Sequence, residues 1–354
     1  MTKVYVGMSG GVDSSLSAAL LKEQGYDVTG VYMKNWTQDL PGMRCPWADD
    51  LADAKRVAVQ LGIDFKVFDF ENEYKQKVVD YMIEEYSLGR TPNPDIMCNQ
   101  EVKFKLFLEA ALEDGADMIA TGHYAQVSTS IDHTSTGILK LAVDTNKDQT
   151  YFLYRVTSEA LSRTLFPLGE YTKPEVREMA LARGLFTAGK KDSQGICFVG
   201  KVGIRDFLSQ YVTQKPGAII DRVSGKVLGH HDGAIFYTLG QRHGLDIGGG
   251  LPYYVVGKDM QKNEVYVTTD LNNEALWKKT VHLKAVHWIN AWPNEGKYKA
   301  RIRHRARLEE VELSFENNGV QLLFTDEQRA IAPGQSIVLY NGESVIGGGI
   351  IAAL

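Results

Sequence analysis

The chain is poor in the features that mark secreted, membrane-spanning or strongly nucleic-acid-binding proteins. Cysteine is scarce: Cys45, Cys98 and Cys197 are the three in 354 residues. An odd number, with no Cys-x-x-Cys pair, excludes a disulfide scaffold, so reduced thiols are the default and each is a question of reactivity or packing. No apolar run approaches the about 18 residues of a membrane helix. The opening Met1-Thr2-Lys3-Val4-Tyr5-Val6 reads as a strand running straight into a Gly-rich loop, which leaves no room for a signal peptide and makes the cytoplasm the expected compartment. Positive charge is not in excess either. Lys and Arg number 39 against 44 Asp and Glu, for a net charge of −5, so any RNA contact must come from local basic patches. Repeats and low-complexity segments are absent.

What is present is an ordinary globular composition, 44% hydrophobic and 23% charged, on a chain long enough for two or three domains. The first half alternates strand and helix signals. Strands are expected at 3–8, 28–33, 63–70 and 118–127. Helices are expected at 14–24, 49–61, 71–88 and 99–113, with a Pro-punctuated turn at Thr91-Pro92-Asn93-Pro94. That order implies an α/β domain with a doubly wound parallel sheet. Thr172-Lys173-Pro174-Glu175 has the form of a capping box opening another helix. From about Pro216 the texture becomes Gly-punctuated and β-rich, with short strands expected at 218–221, 235–239 and 253–256. From about Thr280 it is strongly β, with hairpin signals at Asn318-Gly319 and Asn341-Gly342. A small β-rich central module and a C-terminal β-barrel or sandwich follow.

Between the first strand and first helix lies Ser9-Gly10-Gly11-Val12-Asp13-Ser14. The two glycines let the backbone turn sharply and aim N–H groups inward, and the helix adds its positive dipole end, a setting suited to phosphate. Ser9 and Ser14 can donate hydroxyls. Asp13 is unsuited to touching phosphate but is a candidate for holding Mg²⁺. The Gly-x-x-x-x-Gly-Lys-Ser/Thr and Gly-x-Gly-x-x-Gly patterns are missing here. A loop without its own lysine is compatible with holding pyrophosphate as a leaving group. The string resembles the PP-loop of the adenine-nucleotide α-hydrolase family, which implies cleavage of ATP to AMP and pyrophosphate.

Two cysteines have chemically suggestive neighbours. If 95–98 forms a first helical turn, Asp95 and Cys98 share a face at i and i+3, with Asp95 as a proton acceptor for the thiol. The same Cys98 reads equally well as a small buried hydrophobe near a helix start. Cys197 follows Lys190-Lys191-Asp192-Ser193-Gln194-Gly195, an electropositive loop composition that favours a reachable thiolate over a strand-packing role. Cys45, in Arg44-Cys45-Pro46-Trp47, reads first as a surface or packing cysteine, with a supporting role near the site left open.

Several long strings in one order extend the resemblance to the whole chain. They are residues 7–15, Gly89-Arg90-Thr91-Pro92-Asn93-Pro94-Asp95 running on to Cys98-Asn99, and Ala120-Thr121-Gly122-His123-Tyr124. They continue with Asn146-Lys147-Asp148-Gln149-Thr150-Tyr151-Phe152-Leu153, Lys191-Asp192-Ser193-Gln194-Gly195-Ile196-Cys197-Phe198 and Thr238-Leu239-Gly240-Gln241-Arg242. Together they are similar to the tRNA-specific 2-thiouridylase family, which thiolates the wobble uridine of certain tRNAs. The resemblance implies a PP-loop domain (1–208), a small β-rich central domain (209–274) and a tRNA-binding C-terminal β-barrel (275–354). It implies ATP at Gly7, Met8, Ser9, Gly10, Gly11, Val12, Asp13, Ser14, Met33 and Gly122, and a target-base pocket at Asn93, Pro94 and Asp95. Cys98 is then the nucleophile, Cys197 carries sulfur as a persulfide, and Asp95 is a base. It further implies tRNA contacts at His123, Lys147, Asp148 and Gln149, a persulfide-donating sulfur-carrier protein as partner, ATP with Mg²⁺, and no tightly bound organic cofactor.

In Lys299-Ala300-Arg301-Ile302-Arg303-His304-Arg305, strand alternation would set Arg301, Arg303 and Arg305 on one face, a row able to track phosphates. Taken alone, the same row reads as a solvated face paired with Glu309, Glu310 and Glu312. With the resemblance, Arg303, His304, Arg305 and, more weakly, Gln335 become tRNA contacts. Two rival classes remain: a glutamine-dependent amidating synthetase, disfavoured because no glutaminase segment precedes the loop, and a nucleotide- or RNA-binding module without turnover, in which the cysteines would be idle.

Overall fold

The structure is a computed structural model that describes residues 1–39, 45–129, 136–191, 203–248, 250–316 and 319–353. The first part runs β1 (Lys3–Gly7), α1 (Val12–Glu23), β2 (Asp27–Lys34), α2 (Trp47–Leu61), β3 (Asp64–Asp69) and α3 (Glu71–Tyr74). A π-helical stretch (Lys75–Asp80) joins α3 to α4 (Tyr81–Ser87), and α5 (Pro94–Cys98) runs through a second one (Asn99–Leu106) into α6 (Phe107–Glu113). β4 (Met118–Ala120), β5 (Gln126–Thr129), β6 (Gly137–Lys140), α7 (Ser158–Ser162), β7 (Thr164–Leu165) and α8 (Lys173–Ala182) follow. The five parallel strands lie in the order β3-β2-β1-β4-β7.

Alternation along β1 explains why both sheet faces are covered. Val4 and Val6 pack with Ala18, Leu21, Ala54 and Val57 of α1 and α2. Tyr5 points the other way, into a core with Val78, Met82, Phe107 and Ala111. A strand buried on both faces is what a doubly wound sheet requires. Gly62 ends α2 in the left-handed conformation, at φ +59°. The capping box at Thr172 and Glu175 is formed as expected.

Two elements differ from the sequence expectation. The strand foreseen over 118–127 stops at Ala120. Thr121 and His123 bond to each other (Oγ1 to Nδ1, 2.8 Å), the chain leaves the parallel sheet, and β5 pairs antiparallel with β6. Through Lys140 opposite Ser344, β6 joins the C-terminal sheet instead. The strand foreseen over 235–239 is a 3₁₀ turn, Ala234–Phe236, bounded by Gly233 (φ +154°) and Gly240 (φ +81°), whose backbones depart from any regular ladder.

After α9 (Ile204–Leu208) comes a four-stranded unit of β8 (Gly217–Asp221), β9 (Val227–His231), β10 (Tyr254–Asp259) and β11 (Glu264–Thr268), in the order β10-β11-β8-β9. The last strands are β12 (Trp277–Trp288), β13 (Gly296–Arg301), β14 (Glu309–Glu316), β15 (Gly319–Arg329), β16 (Ser336–Asn341) and β17 (Ser344–Ile351). They run in the order β12-β15-β14-β13-β16-β17, and β12 also pairs with β17, closing a six-stranded barrel around Val281, Leu313, Leu322, Phe324, Ile337 and Leu339. The Asn341-Gly342 turn joins β16 to β17 with Gly342 at φ +58°; Asn318 lies outside the described residues. No helix among the described residues is long and apolar enough to cross a membrane.

Candidate nucleotide site and catalytic helix

The glycine loop sits at the carboxyl edge of the parallel sheet, where ligands of such folds bind. Gly10 adopts φ +72°, and a Cβ there would lie 2.4 Å from the Asp50 carbonyl oxygen, so the loop closes against α2 only with glycine. Gly11 caps α1 without a side-chain bond, which leaves the first N–H groups of the helix to a ligand. The loop holds itself together: the Ser9 N–H donates to Ser14 Oγ (3.2 Å), and Ser15 Oγ donates to the Gly11 carbonyl (2.7 Å). Gly122, just past β4, backs directly onto this loop, since a Cβ there would meet Ser14 N at 2.8 Å. Met33, at the end of β2, has its methyl 2.9 Å from where a Gly7 Cβ would be. The structure therefore brings together the loop, Met33 and Gly122 around one sheet edge.

Asp13 has partners that sequence reasoning missed. Lys173, at the start of α8, donates from Nζ to both carboxylate oxygens (2.7 and 2.8 Å), and Tyr124 Oη donates to Oδ1 (2.9 Å). The Lys173 N–H is fixed in turn by Asp144 (2.8 Å). The only local signal was a lysine inside a capping box, which says nothing about reach across the fold. The loop's one carboxylate thus faces an ammonium that reaches it from the start of α8. A second lysine, Lys190, bonds Asp50 and Asp53 at the start of α2 (2.8 Å each), tying the chain just before Asp192 to the element on which Gly10 rests.

α5 forms because Pro94 occupies its first turn and Asn93 caps it, with Asn93 Oδ1 accepting from the Ile96 N–H (3.3 Å). Asp95 and Cys98 thus stand one turn apart, as the spacing anticipates. Cys98 is buried, at 1% exposure, among Ile96, Val102 and Tyr86. Asn99 Nδ2 donates to the Phe152 carbonyl (3.0 Å), which fastens the helix to the 150–152 turn. Cys197 lies outside the described residues, as does the rest of 192–202. Cys45 is buried beside Trp36, as its packing reading anticipates; burial, with Asp39, Asp50 and Glu71 nearby, pushes its thiol up despite a backbone bond from Trp47.

The residues expected at the RNA face are drawn together, but several turn inward. His123 is wedged beside Phe104 and Phe166 (ring centroids 5.5 and 6.2 Å), and burial, then Lys103, holds it well below the usual imidazole range. Asp148 is 2% exposed and pairs with Arg301 Nη1 at 2.5 Å. Gln149 Oε1 accepts from the Tyr124 N–H (2.9 Å), joining 147–149 to 123–124. The expected row of arginines does not form. β13 ends at Arg301, which is buried, and Arg305 takes φ +63°, so alternation stops before it can set Arg303 and Arg305 beside Arg301. Arg303 and Arg305 are exposed; Arg305 Nε reaches the Asn146 carbonyl (3.2 Å), so 303–305 and 146–149 still adjoin. His304 packs at a tilt against Phe152 (ring centroids 4.5 Å), and burial, then Arg305 and Arg301, lowers it to about 4. Gln335 Nε2 donates to the Thr91 carbonyl (2.8 Å).

A glycine loop at the carboxyl edge of a parallel sheet, followed by a β-unit and a closed barrel, defines a multidomain nucleotide-binding α/β protein. Family models match it throughout: the tRNA methyl transferase HUP domain at residues 2–201, the tRNA methyl transferase PRC-barrel domain at 205–269 and the aminomethyltransferase β-barrel domain at 278–351. The tRNA-specific 2-thiouridylase MnmA of Bacillus thuringiensis (strain Al Hakam) is 47% identical over 99% of this chain and 94% of its own length. Solved structures are more distant. A U34-tRNA thiolase, NcsA, from Methanococcus maripaludis is 17% identical with a TM-score of 0.37, covering 59% of this chain and 65% of its own. A 4-thiouridine synthetase in an RNA complex with bound ATP is 18% identical with a TM-score of 0.39, covering 59% of this chain and 50% of its own. The chain belongs to the tRNA-specific 2-thiouridylase family, and with it to the sulfurtransferases.

Proposed function

We propose that the protein uses ATP to replace the 2-oxygen of the wobble uridine of tRNA by sulfur. The observation that carries this reading is the pairing of a phosphate-type loop, seated on Gly122 at the sheet edge, with a capped helix bearing Asp95 and Cys98. The uracil 2-oxygen is a poor leaving group. Its attack on the α-phosphorus of ATP expels pyrophosphate and leaves an O2-adenylate, from which AMP departs readily. The terminal sulfur of a Cys197 persulfide adds to C2, and AMP leaves. Cys98 thiolate then attacks the Cys197 sulfur; the S–S bond to the base breaks, the base keeps the electron pair as its thiocarbonyl, and a Cys98–Cys197 disulfide forms. Asp95 accepts the Cys98 proton. A thiol reductant must open the disulfide, and a sulfur-carrier protein must restore the persulfide, before the next turnover. Because Cys98 is buried, one or both sulfurs move for this step.

The target base leaves its stack to lie against Asn93, Pro94 and Asp95. Lys147, Arg303 and Arg305 contact the tRNA backbone, with His123, Asp148, Gln149 and His304 shaping the surface beneath or beside them. A tRNA substrate and reduced thiols suit the cytoplasm. Incubation with tRNA, ATP, Mg²⁺ and a persulfide donor is expected to yield 2-thiouridine, AMP and pyrophosphate in nucleoside and nucleotide chromatography. Formation of ADP, or of no thiolated base, would refute the reading. Cys197→Ser is expected to abolish thiolation and leave tRNA binding near normal; a fully active variant removes the persulfide role.

A further inference from the structure

Thr91 opens the loop to the base pocket, and each of its hydrogen-bonding groups is taken by another part of the chain. Its N–H donates to the Pro333 carbonyl (2.8 Å), its carbonyl accepts from Gln335 Nε2 (2.8 Å), and its Oγ1 meets Thr238 Oγ1 (3.1 Å). Pro333 and Gln335 belong to the turn ahead of β16 in the barrel, and Thr238 to the β8–β11 unit. The approach is close enough to need glycine: Gly334 sits at φ +92°, and a Cβ there would lie 2.8 Å from Thr91 N and 2.9 Å from Arg90 Cβ. Gln335 is itself anchored, its N–H donating to Ala332 and its carbonyl accepting from Ile351. On the near side, Arg90 bonds Glu85 through its N–H (2.9 Å) and through Nη1 (2.6 Å). Two residues past Thr91 comes the Asn93 cap of α5.

We infer that Gln335 and Thr238 are positioning residues that clamp Thr91, so that the barrel and the central unit set the register of the loop entering α5 and thereby the placement of Asn93, Asp95 and Cys98. The inference rests on the thiolation reading but assigns Gln335 differently. One N–H of its amide is engaged with the Thr91 carbonyl, which gives it a duty within the protein. A backbone segment held at one residue by three directed bonds loses the freedom to slide along the helix axis, and errors of about 1 Å at a reacting group cost on the order of 100-fold in rate. The barrel is then a part of the active-site scaffold as well as a surface for tRNA.

The test compares Gln335→Ala, Thr238→Val and Gln335→Glu in the full-length protein. Gln335→Ala is expected to lower kcat for thiolation about 10- to 100-fold with KM for tRNA and ATP within about twofold of wild type. Backbone amides of Asn93 and 95–98 should exchange faster in the same variant without tRNA or ATP present. Thr238→Val, which removes one bond and keeps the shape, should show a smaller loss of the same kind. In Gln335→Glu, a protonated carboxyl can donate to the Thr91 carbonyl and a carboxylate cannot, so its activity relative to wild type should rise as pH falls from about 8 to about 5.5. A raised KM for tRNA with kcat intact would make Gln335 an RNA contact and overturn the inference. Wild-type rates and exchange in both Gln335→Ala and Thr238→Val would overturn it too. If wild-type protein forms no 2-thiouridine, the thiolation reading fails, and the exchange measurement still decides whether the clamp orders α5.

Discussion

Lys173 pairs with the one carboxylate of the nucleotide loop. A carboxylate at the mouth of an anion-binding loop would repel a triphosphate, and Asp13 stands there. Lys173 cancels it from a site where the lysine side chain is 10% exposed and the aspartate 31%. Breaking a largely buried pair leaves an uncompensated charge and costs more than a surface pair is worth, here about 1–3 kcal/mol after allowing for the exposed side of Asp13. Lys173→Met is expected to weaken ATP binding at least about tenfold in calorimetry, at about 5 Å and an effective dielectric of about 20. Adding Asp13→Asn should recover part of that loss, because the repelling charge goes with it. ATP affinity equal to wild type in Lys173→Met would show that the pair has no bearing on the ligand. At this scale the sequence exposes types and spacings. Asp95 and Cys98 at i and i+3 were legible, whereas Lys173 beside Asp13, separated by most of the first domain, was not.

Elements place these residues, and one close joint between elements at the site is Gly122 against the first turn of α1. Thr121-Gly122-His123 turns the chain out of the parallel sheet after β4, and the missing Cβ lets that turn touch Asp13 and Ser14. Gly122→Ala is expected to push the loop by several tenths of an ångström. The prediction is an ATP affinity reduced on the order of 100-fold with a stability loss of only about 1–3 kcal/mol, read from nucleotide titration and urea unfolding. A larger stability loss with ATP affinity preserved would mean that the backbone yields elsewhere. The strand over 118–127 shows why such joints evade sequence reading: apolar residues lie on both sides of Thr121-Gly122-His123, but the hydrogen-bond partners change from β1 and β7 to β6 across them. The arginine row failed for a related reason, since strand alternation holds only as long as the strand, and β13 stops at Arg301.

Across the whole molecule, buried imidazoles make the fold sensitive to mild acid. His123, His304, His231 and His287 are all held below the usual range, chiefly by burial. An unfolded chain takes up these protons near pH about 6.5, while the folded chain resists, down to about 4 at His304. Their contribution to stability is therefore complete above about pH 6.5 and is lost as pH falls from there toward the folded values. Urea midpoints should decline between about pH 6.5 and 4.5, ahead of the loss from carboxylates such as Asp69 and Glu23, whose lysine and arginine partners lower them. His304→Phe, which keeps the ring on Phe152, should make that decline shallower; an unchanged slope would exclude His304 as a contributor.

At this largest scale the division of labour is clear. The sequence by itself determined the parallel α/β domain, because periodicity is local, and the glycine loop, because its backbone geometry needs glycine whatever surrounds it. It also determined the β-rich second half and the i, i+3 spacing of Asp95 and Cys98, each written in consecutive residues; that 94–98 is helical and capped by Asn93 came from the structure. Only the tertiary structure decided that Lys173 and Tyr124 meet Asp13, that β5 and β6 serve the C-terminal sheet, and that Asp148 and Arg301 pair in the interior. It alone brought Gln335 and Thr238 to Thr91. Those contacts join residues far apart in the chain, and a side chain's type does not encode which distant backbone will be folded within 3 Å of it.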